Sequence, residues 1–375
     1  MKWFSLALSH LWKPIFKFCK DSLNLSRFFL FLFLVFFPFQ IRSLVYASQI
    51  FLSGNFNIYT SFFVYLADIF LLLAVLFWGI SLWKNKKNVV LDFGDQKLTL
   101  LLIFFLMAAL IIIPIIENKF LHLLFVFRFL ELFLLYLMIV NNILQTKIII
   151  YILVAGMAFQ ALIAVYQYLL QGSVGLNIFG ESGITVKTPG VAKIDLESQK
   201  VLRAFGTFPH SNVLGGALFF ALTLGFAGFI KHRWFYWPTA LLLAFGLMLT
   251  FSRSALFALL AAFLTYFAFR NKKIALKKIL LVLTFLLFFI VIFRLEGPIL
   301  ERFLFKDIFN MQERGWYFNS SKEMLFSEPF GVGLGSFTEK AQQFLNVKLL
   351  PWQYQPVHNV FLLSLNETGI IGGTL

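Results

Sequence analysis

Residues 98–116 read LTLLLIFFLMAALIIIPII, and residues 148–170 read IIIYILVAGMAFQALIAVYQYLL. Neither run holds a charged side chain. A helix needs about 20 such residues to cross a hydrocarbon core about 30 Å thick, at about 1.5 Å per residue. Both runs meet that length. Working outward, comparable runs fall at about 28–46, 62–83, 120–140, 212–230, 234–251, 254–270 and 279–295, and a tenth starts near Val357. The chain is therefore expected to be all-α, a polytopic transmembrane helical bundle with about ten spans.

Composition points the same way. Of 375 residues, 60% are hydrophobic and 13% charged, against about 25% charged in soluble chains. Mean hydropathy is +0.85. One water-soluble core could not hide that much apolar surface, so the solvent is lipid. The 52 phenylalanines read as lipid-facing filler, since any large apolar side chain serves there. Cys19 is the single cysteine, which excludes an intramolecular disulfide and cysteine-ligated zinc or iron–sulfur chemistry. Residues 1–26 lack a short apolar core with a small-residue cleavage site and read as a basic cytoplasmic lead-in.

The net charge of +15 would suggest nucleic acid until the charges are placed. Lys2, Lys13, Lys17, Lys20 and Arg27 precede or open the first span. Lys84, Lys86, Lys87 and Lys97 follow the second, Lys147 the fourth, Lys231 and Arg233 the sixth, and Arg270, Lys272, Lys273, Lys277 and Lys278 the eighth. The intervening short connections carry almost none. Basic residues mark the cytoplasmic side, and long loops count little. The N-terminus is then cytoplasmic, and the two long loops, about 171–211 and 296–356, face outward. Chemistry is expected in those loops. The chain stops on Gly372-Gly373-Thr374-Leu375 inside an apolar run, which reads as a product lacking further C-terminal spans.

Four outward stretches differ from lipid-facing filler: Arg203 to Asn212, leading into Gly215-Gly216; Thr250-Phe-Ser-Arg-Ser-Ala255; Glu313-Arg314-Gly-Trp316 followed by residues 328–336, EPFGVGLGS; and Pro356 to Gly369. Arg253 caps a helical hairpin on the side where a lone short-loop arginine is disfavoured, which favours function over snorkelling. Arg203, Arg314 and His358 are unremarkable by position alone, and His210 rivals His358. Neither histidine has a helical partner at metal-ligand spacing. Within the membrane, Arg128 and Glu131 lie three apart on one face and read as a structural ion pair. Asp68 also faces the bundle, its partner unidentified. Gly331, Gly333 and Gly335 lack the strand and helix of a dinucleotide site and read as a tightly turned or flexible loop. Phe303, Leu304, Ile308 and Phe309 form one face of a candidate interfacial helix.

Guanidinium forks suit phosphate oxygens. A histidine can take a proton from a hydroxyl at neutral pH. If Arg203, Arg253, Arg314 and His358 converge, they suit displacement of a phosphate-type leaving group by an alcohol, with arginines stabilising the developing charge. In a bilayer the obvious substrate is a lipid diphosphate carrying a sugar chain.

The run Arg203…Gly206-Thr-Phe…Asn212, the Ser252-Arg253 break, the Arg314…Pro329-Phe-Gly-Val-Gly-Leu-Gly-Ser-Phe337 stretch and His358-Asn…Glu367-Thr-Gly, in that order, resemble the bacterial O-antigen ligase and polymerase superfamily. The resemblance covers about residues 200–373. It implies a transmembrane domain over residues 27–375 of GT-C-like fold, acting as a metal-independent, inverting glycosyltransferase of the bacterial cytoplasmic membrane, with its active site on the outer face. A glycan would leave undecaprenyl diphosphate for the hydroxyl of a glycan, lipid or protein acceptor, with no cofactor and no nucleic acid. By that analogy Arg253 and Arg314 hold the diphosphate, and His358 activates the acceptor. Arg203, Asn212, Asn359 and Glu367 are the further substrate-binding candidates within the motifs. Pro209-His-Ser-Asn212 departs from the Asn-Pro-Asn-like turn of relatives. Ligase, polymerase and protein-directed versions share donor chemistry. A different class, a secondary transporter or flippase, would instead use Asp68, Arg128 and Glu131 as coupling residues.

Overall fold

The computed structural model describes residues 21–48, 56–85, 90–195, 200–225, 233–269, 308–345 and 349–375, with single positions at 347 and between 280 and 299. Most of the 1–26 lead-in, most of the 279–295 span, and Phe303 and Leu304 lie outside the described residues. The chain divides into two compact units. One comprises residues 1–33, 42–145 and 307–375, the other residues 34–41 and 146–306.

The first unit opens on helix α1 (Ser22–Phe36) and the hairpin β1 (Arg42–Ala47) and β2 (Ser61–Tyr65). Here the expected 28–46 span is corrected. Pro38 has no N–H to donate and disfavours helix at Phe37, so α1 ends at Phe36 and the chain turns through Phe39 N–H to Phe36 C=O, 2.9 Å. The 62–83 span is likewise trimmed at its start, because residues 61–65 pair with β1 in the register Arg42↔Tyr65, with a bulge between Leu44 and Tyr46. Both strands are rich in aromatic and β-branched residues, which fit a pleated, half-covered surface.

Helices α2 (Leu66–Lys84), α3 (Gln96–Ile111) and α4 (Lys119–Val140) follow. Asp68 starts α2 by accepting the Tyr65 N–H at 2.8 Å. Pro114 falls in a 3-10 turn that extends α3 to Ile115. Asn118 starts α4 by accepting the Leu121 N–H. Ser26 of α1 donates to Ala74 C=O of α2 at 2.8 Å, fastening the two helices. The C-terminal part adds α9 (Ile308–Ser327), the short α10 (Phe337–Lys340) and α11 (Val360–Gly373). They share a core of Tyr317, Met324, Val332, Phe337, Tyr354 and Val357. The last expected span starts three residues later than anticipated and breaks at Gly369, whose φ is +72°.

The second unit is built on α5 (Thr146–Leu170), a small hairpin β3 (Lys193–Asp195) and β4 (Lys200–Leu202), α6 (Ser211–Leu224), α7 (Arg233–Leu249) and α8 (Arg253–Phe269). Its core interlocks α5, α6 and α7 through Met157, Ala161, Leu218, Leu222, Ala244 and Leu247. Gly246 lets α7 close on α5, since a Cβ there would stand 2.7 Å from that of Ala161.

Among the described residues four helices are long and apolar enough to cross a membrane: Leu66–Lys84, Gln96–Ile115, Lys119–Val140 and Thr146–Leu170. Shorter apolar helices accompany them at Ser22–Phe36, Ser211–Leu224, Trp237–Leu249, Arg253–Ala262 and Val360–Gly373. α3 leaves Leu101, Phe104 and Ile111 exposed, which is stable only where lipid takes the place of water. The protein is a helical membrane protein.

Candidate active site

Helix α9 is polar for a membrane protein, and its residues spaced three and four apart explain why. Glu313 and Tyr317 sit one turn apart on one face. Tyr317 is fully buried. Its hydroxyl donates to Gln353 C=O at 2.9 Å and accepts the Gln355 N–H at 3.2 Å. Burial pushes the phenol up to about 12, against the pull of the Gln355 hydrogen bond. Glu313 accepts from the Gln353 side chain at 2.6 Å and the Gln355 side chain at 3.4 Å. Asn57 adds a bond to Tyr354 C=O at 2.8 Å. Together these fix the 350–357 loop, and therefore His358, on α9.

Arg314 and His358 are both exposed, and neither has a hydrogen-bond partner among the described residues. The His358 ring reaches solvent but is crowded by protein on its other side. That partial burial and then the nearby Arg314 charge hold its pKa below the usual imidazole value, while Glu313 pulls it up. That shift favours the neutral imidazole, the form able to accept a proton. Asn359 is occupied locally: its Oδ1 accepts the Phe361 and Leu362 N–H groups and caps α11.

Glu367 serves the glycine string. Its Oε1 accepts the Gly335 N–H at 3.0 Å and the Phe337 N–H at 3.4 Å. The loop runs against α11 through Val332 N–H to Asn366 C=O and Gly333 N–H to Glu367 C=O, both 2.9 Å. A Cβ on Gly331 would stand 2.4 Å from the Gly369 nitrogen, and φ there is +92°. The string is the tightly turned loop anticipated, with no strand before it. On its other side the Leu334 N–H donates to Nδ1 of His122, whose Nε2 bonds Ala109 C=O at 2.8 Å.

In the second unit, Arg203 is buried at 3% exposure. Its Nε donates to Thr250 C=O at 2.8 Å and its guanidinium also bonds Asn212 Oδ1 at 2.5 Å. A cation on the last carbonyls of α7 is favourable, so Arg203 and Asn212 brace the α7–α8 break. Phe251, buried with φ +47°, and Ser252, 2% exposed, make that turn. Arg253 is the first residue of α8, half-buried, with no hydrogen bond or ion pair among the described residues. His210 caps α6 by accepting the Asn212 N–H on Nδ1 at 3.0 Å.

The Arg128–Glu131 ion pair is present at 3.2 Å. Arg128 also pairs with Asp68, supplying the partner that the sequence left unidentified, and donates to Phe63 C=O at 2.8 Å. Among the described residues no group of three His, Cys, Asp or Glu side chains could hold a metal ion.

Sequence reasoning missed the polar residues of α5. Gln167 binds the Phe205 and Gly206 N–H groups, Gly206 C=O and Glu181. Gln160 binds the Thr207 N–H and hydroxyl and Pro38 C=O. Both glutamines are fully buried. Two amides seven apart in an otherwise apolar span were the available signal, since a buried amide in lipid must find partners. Tyr317 and Glu313 gave no comparable signal.

A family model described as O-antigen ligase matches residues 238–375. Comparisons with curated proteins and with solved structures give no match. The matched segment contains Arg253, Arg314, His358, Asn359 and Glu367, and stops short of Arg203 and Asn212. Over residues 238–375 the chain is similar to the O-antigen ligase family, a match that supports a bacterial membrane enzyme of ligase or polymerase type.

Proposed function

We propose that the protein is a glycosyltransferase of the O-antigen ligase type. It moves a glycan from undecaprenyl diphosphate to an acceptor hydroxyl at the outer face of the cytoplasmic membrane, without a metal ion and with inversion. The observation that carries this reading is that Arg314 and His358 are both exposed on the first unit, near enough for the Arg314 charge to lower the His358 pKa, with no hydrogen-bond partner among the described residues.

In the reaction, the acceptor oxygen bonds to the anomeric carbon from the face opposite the leaving group. The bond from that carbon to the diphosphate oxygen breaks, and the electron pair leaves with the diphosphate. The hydroxyl proton passes to the His358 imidazole. Arg314 stabilises the charge growing on the diphosphate. Arg253 is assigned to a donor phosphate by the family resemblance; it has no hydrogen bond or ion pair among the described residues and stands at the N-terminus of α8, where backbone N–H groups favour anions. Arg203 and Asn212 position the Arg253 turn.

The test uses membranes containing the full-length protein, radiolabelled glycan on undecaprenyl diphosphate, and lipid, glycan and protein acceptors in excess chelator. Wild type is expected to transfer label. His358→Ala is expected to lower transfer by about 10²–10⁴-fold, the usual contribution of a general base, with the protein still folded. Transfer at full rate by His358→Ala, or transfer abolished by chelator, would overturn the mechanism. Movement of the lipid between leaflets with no label transferred would replace it with a transporter.

A further inference from the structure

Helix α9 buries mostly polar side chains and exposes apolar ones. Tyr317, Ser320, Ser321 and Met324 are turned inward. On the opposite side Phe318, Lys322 and Phe326 stand four residues apart, in one stripe, and Phe330 follows just past the helix end. Phe326 is 87% exposed and Phe330 62%. The Lys322 ammonium lies 4.5 Å from the centroid of the Phe318 ring, so its stem runs along the stripe. Exposed apolar surface gathered at one end of a helix marks a contact with something else.

What that contact is follows from the depth of each part of α9. α9 and α11 run in the same direction. Near its start α9 holds the loop before α11, through the Tyr317 hydroxyl and Gln353 C=O. Midway, the Asn366 amide donates to Ser321 Oγ at 2.7 Å. Past its end, the Ile370 N–H donates to Pro329 C=O at 3.0 Å. Gly369 and Ile370 lie about 15 Å along α11 from its Asn359 cap, at about 1.5 Å per residue. The foot of α9 therefore stands well down an apolar helix, whereas Arg314 is about 18 Å higher than Phe326 on the same count.

A second mark gives the same level. Past the foot of α9 the Leu334 N–H donates to Nδ1 of His122, and a Cβ on Gly335 would meet the Phe125 ring. His122 and Phe125 occupy the first two turns of α4. The polar edge at the start of that helix is set by exposed Lys119 and by Glu117, exposed and paired with Lys340 of α10 at 2.7 Å. Phe326 and Phe330 thus lie at the rim of the apolar zone, where Ile370 and Ile371 of α11 are exposed as well.

We infer that α9 is a strut planted in the lipid leaflet at this rim, with Phe326 and Phe330 inserted just below the headgroups and Lys322 at the level of the phosphates. Aromatic side chains favour that boundary. A lysine one turn above them reaches phosphate while its stem stays on apolar surface. Glu323, also exposed, lies about 100° round the helix from Lys322 and off the stripe. The inference is independent of the transferase reading. Its consequence is a fixed height for Arg314, and so for the neighbouring His358, over the lipid surface.

The experiment places nitroxide labels on the full chain in vesicles of phosphatidylethanolamine and phosphatidylglycerol. In a Cys19→Ser background, Asn319→Cys, Lys322→Cys, Phe326→Cys and Phe330→Cys are labelled one at a time. All four positions are exposed, so the labels replace no packed side chain. Leu132→Cys, exposed in the middle of α4, is the lipid standard. Electron paramagnetic resonance then compares collisions with oxygen, which concentrates in lipid, and with a water-soluble nickel chelate. Oxygen is expected to prevail at Phe326 and Phe330, as at Leu132, and nickel at Asn319, with Lys322 between. Nickel prevailing at both phenylalanine positions would put the foot of α9 in water and overturn the inference. Low collision with both reagents at those positions would show a protein segment or a second copy covering them, and would overturn it equally.

Discussion

Glu313 and Arg314 are sequence neighbours that act on His358 with opposite sign, Glu313 raising its pKa and Arg314 lowering it. If His358 must be neutral to accept the acceptor's proton, transfer rate falls as pH drops through the His358 pKa, which partial burial holds below the ordinary imidazole value. Replacing Glu313 with Gln removes the raising influence, so the acid limb of the pH–rate profile should move to lower pH. A limb that moves upward, or stays fixed, would separate His358 from the proton transfer. Tyr317→Phe should instead act on stability. It leaves Gln353 C=O and Gln355 N–H without their buried partner, a cost of about 1–3 kcal/mol, read as a lower melting temperature and faster hydrogen exchange over residues 350–358. Arg314 and His358 were unremarkable by position and were singled out only by the order of motifs that resembles the O-antigen ligase family. Tyr317 was not, since a tyrosine in a helix looks like any core aromatic until the loop it binds is placed. Arg203 was equally unremarkable by position, and its destination on the last carbonyls of α7 depended on a fold that the residue alone does not disclose.

At the level of elements, α11 and the 329–337 loop support each other through their backbones, and glycine is what permits the approach. Gly331→Ala would drive a Cβ to 2.4 Å from the Gly369 nitrogen at a φ that L-residues adopt with strain. Detergent-solubilised protein carrying it should melt lower than wild type by several degrees, with the loop protease-sensitive. The Asp68–Arg128–Glu131 cluster gives a second test. Arg128→Met strands two carboxylates and should cost about 3–5 kcal/mol, whereas Glu131→Gln removes one of two competing acids and should cost far less. Glu131→Gln should also keep glycan transfer, while a transporter using that residue for coupling would lose function. The long helices were legible because about 20 apolar residues in a row have few other uses. The β1–β2 hairpin was not, because a short apolar run rich in aromatics satisfies strand and helix alike, and only Pro38 hinted that the first span stops early.

For the whole molecule, the charge alternation that orients the chain can be read directly, since Cys19 is the single cysteine. In a Cys19→Ser background, Asn177→Cys in the 171–211 loop should react with a membrane-impermeant maleimide in intact cells, and Asn142→Cys should not. The reverse pattern would place the proposed site on the cytoplasmic side. The division of the chain has a further consequence, for biogenesis. The first unit is discontinuous: residues 42–145 emerge from the ribosome before the 146–306 segment, and residues 307–375 after it. Early in synthesis α2, α3 and α4 are therefore in place while Nδ1 of His122 still awaits the Leu334 N–H and Glu117 still awaits Lys340. The glycine loop, Arg314 and His358 all belong to the returning segment, made after residues 146–306. Vectorial synthesis thus leaves residues 42–145 of the first unit without these partners until the whole of the 146–306 segment has been made.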